Sequence, residues 1–243
     1  MLEELWEPFL IPSVSSPTDM HVRGDVGTEF ILETGDRVLE VTLDPWQMLL
    51  RLKTEVTALA LDQLPGLIVI HSAGVEDLSG NAMLLVGRAG AGKTTLSTDL
   101  TMRGFAFLGD DLVAIDRITR EALPLPRPPA FKGTVHTQTG LSDRWRPPDW
   151  LTLDPAPFMV PAASLGPLAT RPIPIGRLIF PRYSADSSGS ARLLSTAEAV
   201  AATGEQTHSL DKVILPVILA ICRKVEAVEV EYASTAQFLE VLT

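Results

Sequence analysis

Two apolar periods alternate along the chain. Glu29-Phe-Ile-Leu-Glu33 and Val38-Leu-Glu-Val-Thr-Leu43 flank Thr34-Gly-Asp-Arg37, which predicts a hairpin. Asp44-Pro45-Trp46-Gln47 then opens a helix: Asp44 caps, Pro45 suits the first helical position, and Gln47 can reach back in a capping box. Leu49, Leu52, Val56 and Leu59 give that helix an apolar stripe, and Leu64-Pro65-Gly66 ends it. From Gly66 to Asp116 the pattern is most regular. Leu67–Ile70 and Ala82–Val86 read as buried strands around the turn Asp77–Asn81. Thr94–Arg103 reads as a helix stopped by Gly104, and Phe105–Leu108 and Leu112–Ile115 as two further strands. This order predicts an α/β layer fold with a buried, largely parallel sheet.

Beyond it, residues 124–175 hold 12 of the 19 prolines, which predicts irregular structure crossing one face rather than long helices or central strands. Arg127 and Lys132 lie inside that stretch, which is expected to act as a lid or acceptor surface. Ile179–Tyr183 and Glu226–Tyr232 are strand candidates; Thr196–Ala202 and Val213–Val225 are helix candidates. Ser234-Thr-Ala-Gln237 is a second capping box, opening a last amphipathic helix. The chain divides into a β-rich segment, residues 1–43, and a larger domain, residues 44–243.

Composition narrows the function classes. With 20 Lys+Arg against 30 Asp+Glu, the net charge of −10 speaks against a nucleic-acid binder, whose affinity rests on phosphate neutralisation. A single cysteine, Cys222, cannot form an internal disulfide, and the N-terminal Met1–Pro12 lacks the basic stretch of a secretory signal. No apolar run approaches the roughly 18 residues of a membrane span. A cytoplasmic protein without membrane or nucleic-acid partners is expected.

The chemistry is concentrated in Gly87-Arg88-Ala89-Gly90-Ala91-Gly92-Lys93-Thr94, followed by Thr95, which fits the P-loop pattern G-x-x-x-x-G-K-[ST]. Small residues let the backbone wrap a phosphate, and its N–H groups join a helix N-terminus to make an anion site. Lys93 would meet the β- and γ-phosphates of ATP, and the Thr94 hydroxyl would ligate Mg²⁺. Asp110 and Asp111 follow the strand after the P-loop helix, at the edge where an open α/β sheet binds ligands. One acid can hold the metal, and the other can take a proton from an attacking hydroxyl. His71 ends the strand before the P-loop strand, among the small residues Ser72, Ala73 and Gly74.

His71-Ser-Ala-Gly-Val75, Leu84 through Thr94, Arg103-Gly104 and Gly109-Asp110-Asp111 together resemble the catalytic core of HPr kinase/phosphorylase, and more closely the short HPr-kinase-related proteins without a separate N-terminal domain. Leu125–Lys132, Phe180–Tyr183 and Leu194–Ala199 are similar to further blocks of that group. The resemblance implies a P-loop kinase domain of the phosphoenolpyruvate-carboxykinase type. It assigns Lys93 and His71 to catalysis, Asp111 to proton acceptance, and Thr94 with Asp110 to the metal. The family's second Mg²⁺-binding glutamate and its glycine- and isoleucine-rich signature have no counterpart here. Its downstream arginine falls on Arg171 or Arg177.

The expected function is therefore ATP-dependent, Mg²⁺-requiring transfer of a phosphoryl group to a hydroxyl, a serine of a protein or peptide. A nucleotide-binding regulatory module without transfer and a kinase of a small metabolite are the alternatives. Self-association is left open by the sequence.

Overall fold

A computed structural model describes residues 20–24, 28–62, 64, 66–131, 158–207 and 211–242. The hairpin is present: β1 (Met20–Arg23), β2 (Phe30–Thr34) and β3 (Arg37–Thr42) form an antiparallel sheet of three strands. Helix α1 (Pro45–Asp62) follows, with the Asp44 carboxylate accepting from the Trp46 N–H at 2.8 Å. Gln47 does not close the expected capping box. Its amide donates to Glu40 and accepts from the Thr42 hydroxyl, tying α1 to β3 instead. Met48 and Leu52 pack against Leu32 of the small sheet. Leu49 turns toward Met159.

The main sheet holds β4 (Leu67–Ile70), β5 (Ser72–Glu76), β6 (Ala82–Val86), β7 (Ala106–Gly109), β8 (Val113–Asp116), β9 (Glu121–Leu123), β12 (Ile173–Tyr183), β13 (Ser190–Leu193) and β14 (Glu226–Tyr232). Between β9 and β12 come β10 (Ala130–Phe131) and β11 (Phe158–Met159), an antiparallel ribbon. The architecture is mixed α/β. The expectation of a largely parallel sheet is corrected: β12 runs parallel to β6 and β14, and every other pairing in the sheet is antiparallel.

The reason lies in how the strands are covered. Ala82, Leu84 and Val86 face helices α3 (Thr196–Gly204) and α4 (Ile214–Lys224) through Ala199, Ile218 and Ile221. Met83 and Leu85 face α2 (Lys93–Met102) and α5 (Thr235–Leu242) through Leu96, Leu100 and Phe238. A strand covered on both faces is an unbroken apolar run whichever way its neighbours point, so the run does not encode direction. Burying each such Leu or Val contributes roughly 1.5–3 kcal/mol.

Other expectations move as well. His71 does not end a strand before the P-loop strand. It bridges β4 and the unforeseen β5, which turns back through Asp77–Asn81 as a hairpin into β6. The Asp77 carboxylate accepts from the N–H groups of Ser79 and Asn81. The proline-rich stretch does supply part of a central strand, since Ile173, Pro174 and Ile175 begin β12. Pro174 lies opposite Glu121 of β9 there. Residues 132–157 of that stretch lie outside the described residues. At Ser234 the hydroxyl accepts from the Gln237 N–H, but Gln237 reaches the N–H of Ala233 rather than that of the cap. The complete capping box is at Ser195 and Glu198, opening α3. Among the described residues no helix is long and apolar enough to cross a membrane.

Candidate active site

The glycine-rich loop runs from the end of β6 to the first turn of α2. Gly90 and Gly92 hold φ of 86° and 89°, in the left-handed region that glycine enters at no steric cost. Gly92 has a second reason to lack a side chain: a Cβ there would come within 2.5 Å of the Tyr232 hydroxyl. No side chain caps α2, so its first N–H groups are presented by the loop itself. Ala91 N–H donates to Arg88 O, and the exposed Arg88 guanidinium reaches Glu205 at 3.1 Å. Gly87 and Ala89 complete the loop, and Thr95 lies in the first turn of α2.

Lys93 is buried and folds back into the loop. Its Nζ donates to Gly87 O at 2.6 Å and Arg88 O at 3.0 Å, and lies 3.2 Å from His71 Nε2. The other nitrogen of His71 lies 2.8 Å from Asp111 O and 3.3 Å from Asp111 Oδ1. Asp111 Oδ2 accepts from Arg127 at 3.0 Å, while the same guanidinium donates to Asp110 O and to the Thr57 hydroxyl. A continuous chain of contacts thus joins Lys93, His71, Asp111, Arg127 and Thr57. Asp111 takes φ of 71°, uncommon for a residue with a side chain, and makes a sharp corner after Gly109-Asp110.

The two acids differ in environment. Asp110 is 2% exposed, and its Oδ1 has no hydrogen-bond partner. Burial pushes its carboxyl up. Lys53, the facing Thr94 hydroxyl and Arg127 oppose the shift, and Asp111 reinforces it. Burial also acts on Asp111, but Lys53, Arg127 and His71 together outweigh it and hold that carboxyl below its usual range. Lys93 is lowered by burial, against the pull of both acids.

The structure brings together His71, Lys93, Thr94, Asp110 and Asp111, all of them singled out in the sequence. It does not bring in Arg171 or Arg177. Arg171 pairs with Glu76 at the opposite end of β5, and Arg177 with Glu226. The arginine at the site is Arg127, 3% exposed, from the proline-rich stretch. Lys132 lies outside the described residues. The sequence reading missed Lys53 and Thr57, both buried on α1. Their signal was positional: Lys53 lies four residues from Leu49 and Thr57 four from Lys53, so both fall on the apolar stripe rather than the solvent face.

This arrangement can cradle a polyphosphate on backbone N–H groups and Lys93. It can also hold a divalent cation between the Thr94 hydroxyl and the orphaned Asp110 oxygen, and keep one ionised carboxylate beside both. No protein-family model and no curated protein matches the chain.

Proposed function

We propose that this protein is an ATP-dependent kinase with a P-loop domain of the HPr kinase/phosphoenolpyruvate-carboxykinase type, acting on the hydroxyl of a serine in a protein or peptide. The observation that carries the reading is the meeting of Lys93 and Thr94 with Asp110 and Asp111 at one sheet edge, with His71 between lysine and acid. Binding alone would need no acid pair.

The residues fit Mg²⁺. Asp110 is a buried carboxylate with a vacant oxygen, facing the Thr94 hydroxyl. Mg²⁺ held by these two would offset the charge that gathers on the phosphates during transfer. Lys93 leaves the carbonyls of Gly87 and Arg88 to meet the β- and γ-phosphate oxygens. The acceptor oxygen attacks the γ-phosphorus, the bond from that phosphorus to the β–γ bridging oxygen breaks, and the hydroxyl proton passes to Asp111 Oδ1. His71 and Arg127 hold that carboxylate from its two sides. A carboxylate kept below its usual range is ionised at neutral pH and ready to take the proton that the acceptor oxygen loses as it bonds to phosphorus.

Incubation with γ-labelled ATP and Mg²⁺, with the products of neighbouring genes offered as acceptors, tests the reading. Label on a serine, lost in Lys93→Ala, is expected. Tight ATP binding with no label on any acceptor would replace the kinase with a nucleotide-binding regulatory module.

A further inference from the structure

Lys53 is 5% exposed, yet among the described residues its ammonium makes no hydrogen bond or ion pair. It lies one helical turn before Thr57, which Arg127 contacts, and the charges of Arg127, Asp110 and Asp111 all act on it. Beside it, Arg127 Nε is also buried without an acceptor, although the two terminal nitrogens of the same guanidinium are satisfied. Arg127 thus keeps one buried donor unfilled, and Lys53 is 5% exposed, in a protein whose net charge is −10. An unmet buried donor such as Arg127 Nε is costly, and unmet donors concentrate where a ligand supplies the acceptor.

The placement says which ligand. His71 and Lys93 stand on the Oδ1 side of Asp111, toward the glycine-rich loop. Arg127 stands on the Oδ2 side, with Thr57 beyond it. The Asp111 side chain is half exposed, so the cluster opens to solvent along that carboxylate. Phosphates on the loop would be served by Lys93 and the backbone. Lys53 and Arg127 are left for something else that approaches Asp111.

We propose that Lys53 and Arg127 form a second oxyanion subsite, opposite the phosphate loop, which takes a carboxylate or phosphate group carried by the acceptor beside its reactive hydroxyl; this rests on the kinase reading above. The acceptor is then an acidic molecule or segment. Its anion is anchored on α1 and Arg127, and its hydroxyl is delivered to Asp111. Helix α1, which carries no part of the sequence motif, becomes a specificity element.

The test uses two calorimetric titrations on the whole chain. The first adds Mg²⁺ with a non-hydrolysable ATP analogue, and its failure would overturn the kinase reading itself. The second adds inorganic phosphate or malonate to protein saturated with that analogue, against sodium chloride at matched ionic strength, for wild type and Lys53→Met. One probe should bind the wild type and bind Lys53→Met at least tenfold more weakly, and the probe that binds identifies the group as phosphate or carboxylate. If Lys53→Met does not fold, Lys53→Gln takes its place. Absence of binding by both probes to the nucleotide-loaded wild type, or equal binding by wild type and variant, would overturn the subsite and leave the kinase reading untouched.

Discussion

Replacing Lys53 with methionine, which matches its unbranched stem, should change how stability depends on pH. Burial and the nearby Arg127 charge lower the lysine from its ordinary 10.5 to about 8, with Asp110 and Asp111 opposing. Below pH 8 folded and unfolded chains both carry the proton, so Lys53 adds no slope. Between pH 8 and 10.5 the folded state releases its proton first, the unfolded state binds more, and stability rises with pH. A shift of that size corresponds to roughly 3 kcal/mol gained across the interval. Methionine has nothing to titrate. The stability of Lys53→Met relative to wild type should therefore be highest at pH 7 and fall by roughly 3 kcal/mol by pH 10.5. Urea denaturation of both proteins at half-unit steps of pH measures the difference directly. Parallel curves from pH 7 to 10.5 would show that the ammonium is solvated in the fold, and the reasoning about its burial would be wrong.

Four further outcomes are expected. Lys93→Ala should abolish turnover by removing charge stabilisation of the transferring phosphoryl group, and wild-type turnover in the variant would remove the kinase reading. Asp111→Asn should retain nucleotide binding and lose roughly 10²–10⁴-fold in turnover, the usual worth of a proton acceptor, whereas Asp110→Asn should raise the Mg²⁺ requirement; titrating Mg²⁺ against rate separates the two. Gly92→Ala should destabilise the fold through the Tyr232 contact and its φ of 89°. Adding Tyr232→Phe should recover the contact part and leave about 1 kcal/mol of backbone cost, as read by thermal unfolding. Ser195→Ala, which removes the cap of α3, should cost about 1 kcal/mol in the same assay.

How much of this was legible in the sequence follows from what each residue had to satisfy. The loop from Gly87 to Thr94 could be read because its glycines answer local backbone demands that leave a fixed spacing. Asp110 and Asp111 could be read because a short strand delivers them one helix later. Helices α1 and α5 were visible as amphipathic periods and α3 and α4 as helix candidates, with ends misjudged by a residue or two where the caps differ. Strand direction was not legible, because β5 and β6 are buried on both faces. Strand β12 was seen only at its far end, since Pro174 and Gly176 break the pattern where it begins. Lys53 escaped notice because a lysine within an apolar stripe looks like a solvated neighbour until tertiary packing closes over it. The role of Arg127 depended on a contact with Thr57 seventy residues away, which no local pattern can encode.

Strand β12 also has a consequence for how the chain reaches this state. Its Ile175 lies opposite Ala82 and its Ile179 opposite Leu85, so the strand leading into the glycine-rich loop waits for a neighbour encoded roughly ninety residues later. Strand β14, beside the other edge of β12, comes later again. During synthesis β6 can pair early with β5, through a short turn, but its second edge stays bare and apolar until residue 183 has emerged. An unpaired edge of this kind invites association with other chains. A polypeptide interrupted between the glycine-rich loop and β12 would carry the whole Gly87–Thr94 motif and still lack the sheet that shapes it. The motif is translated early and finished late, and the nascent chain is most vulnerable to aggregation in the interval between.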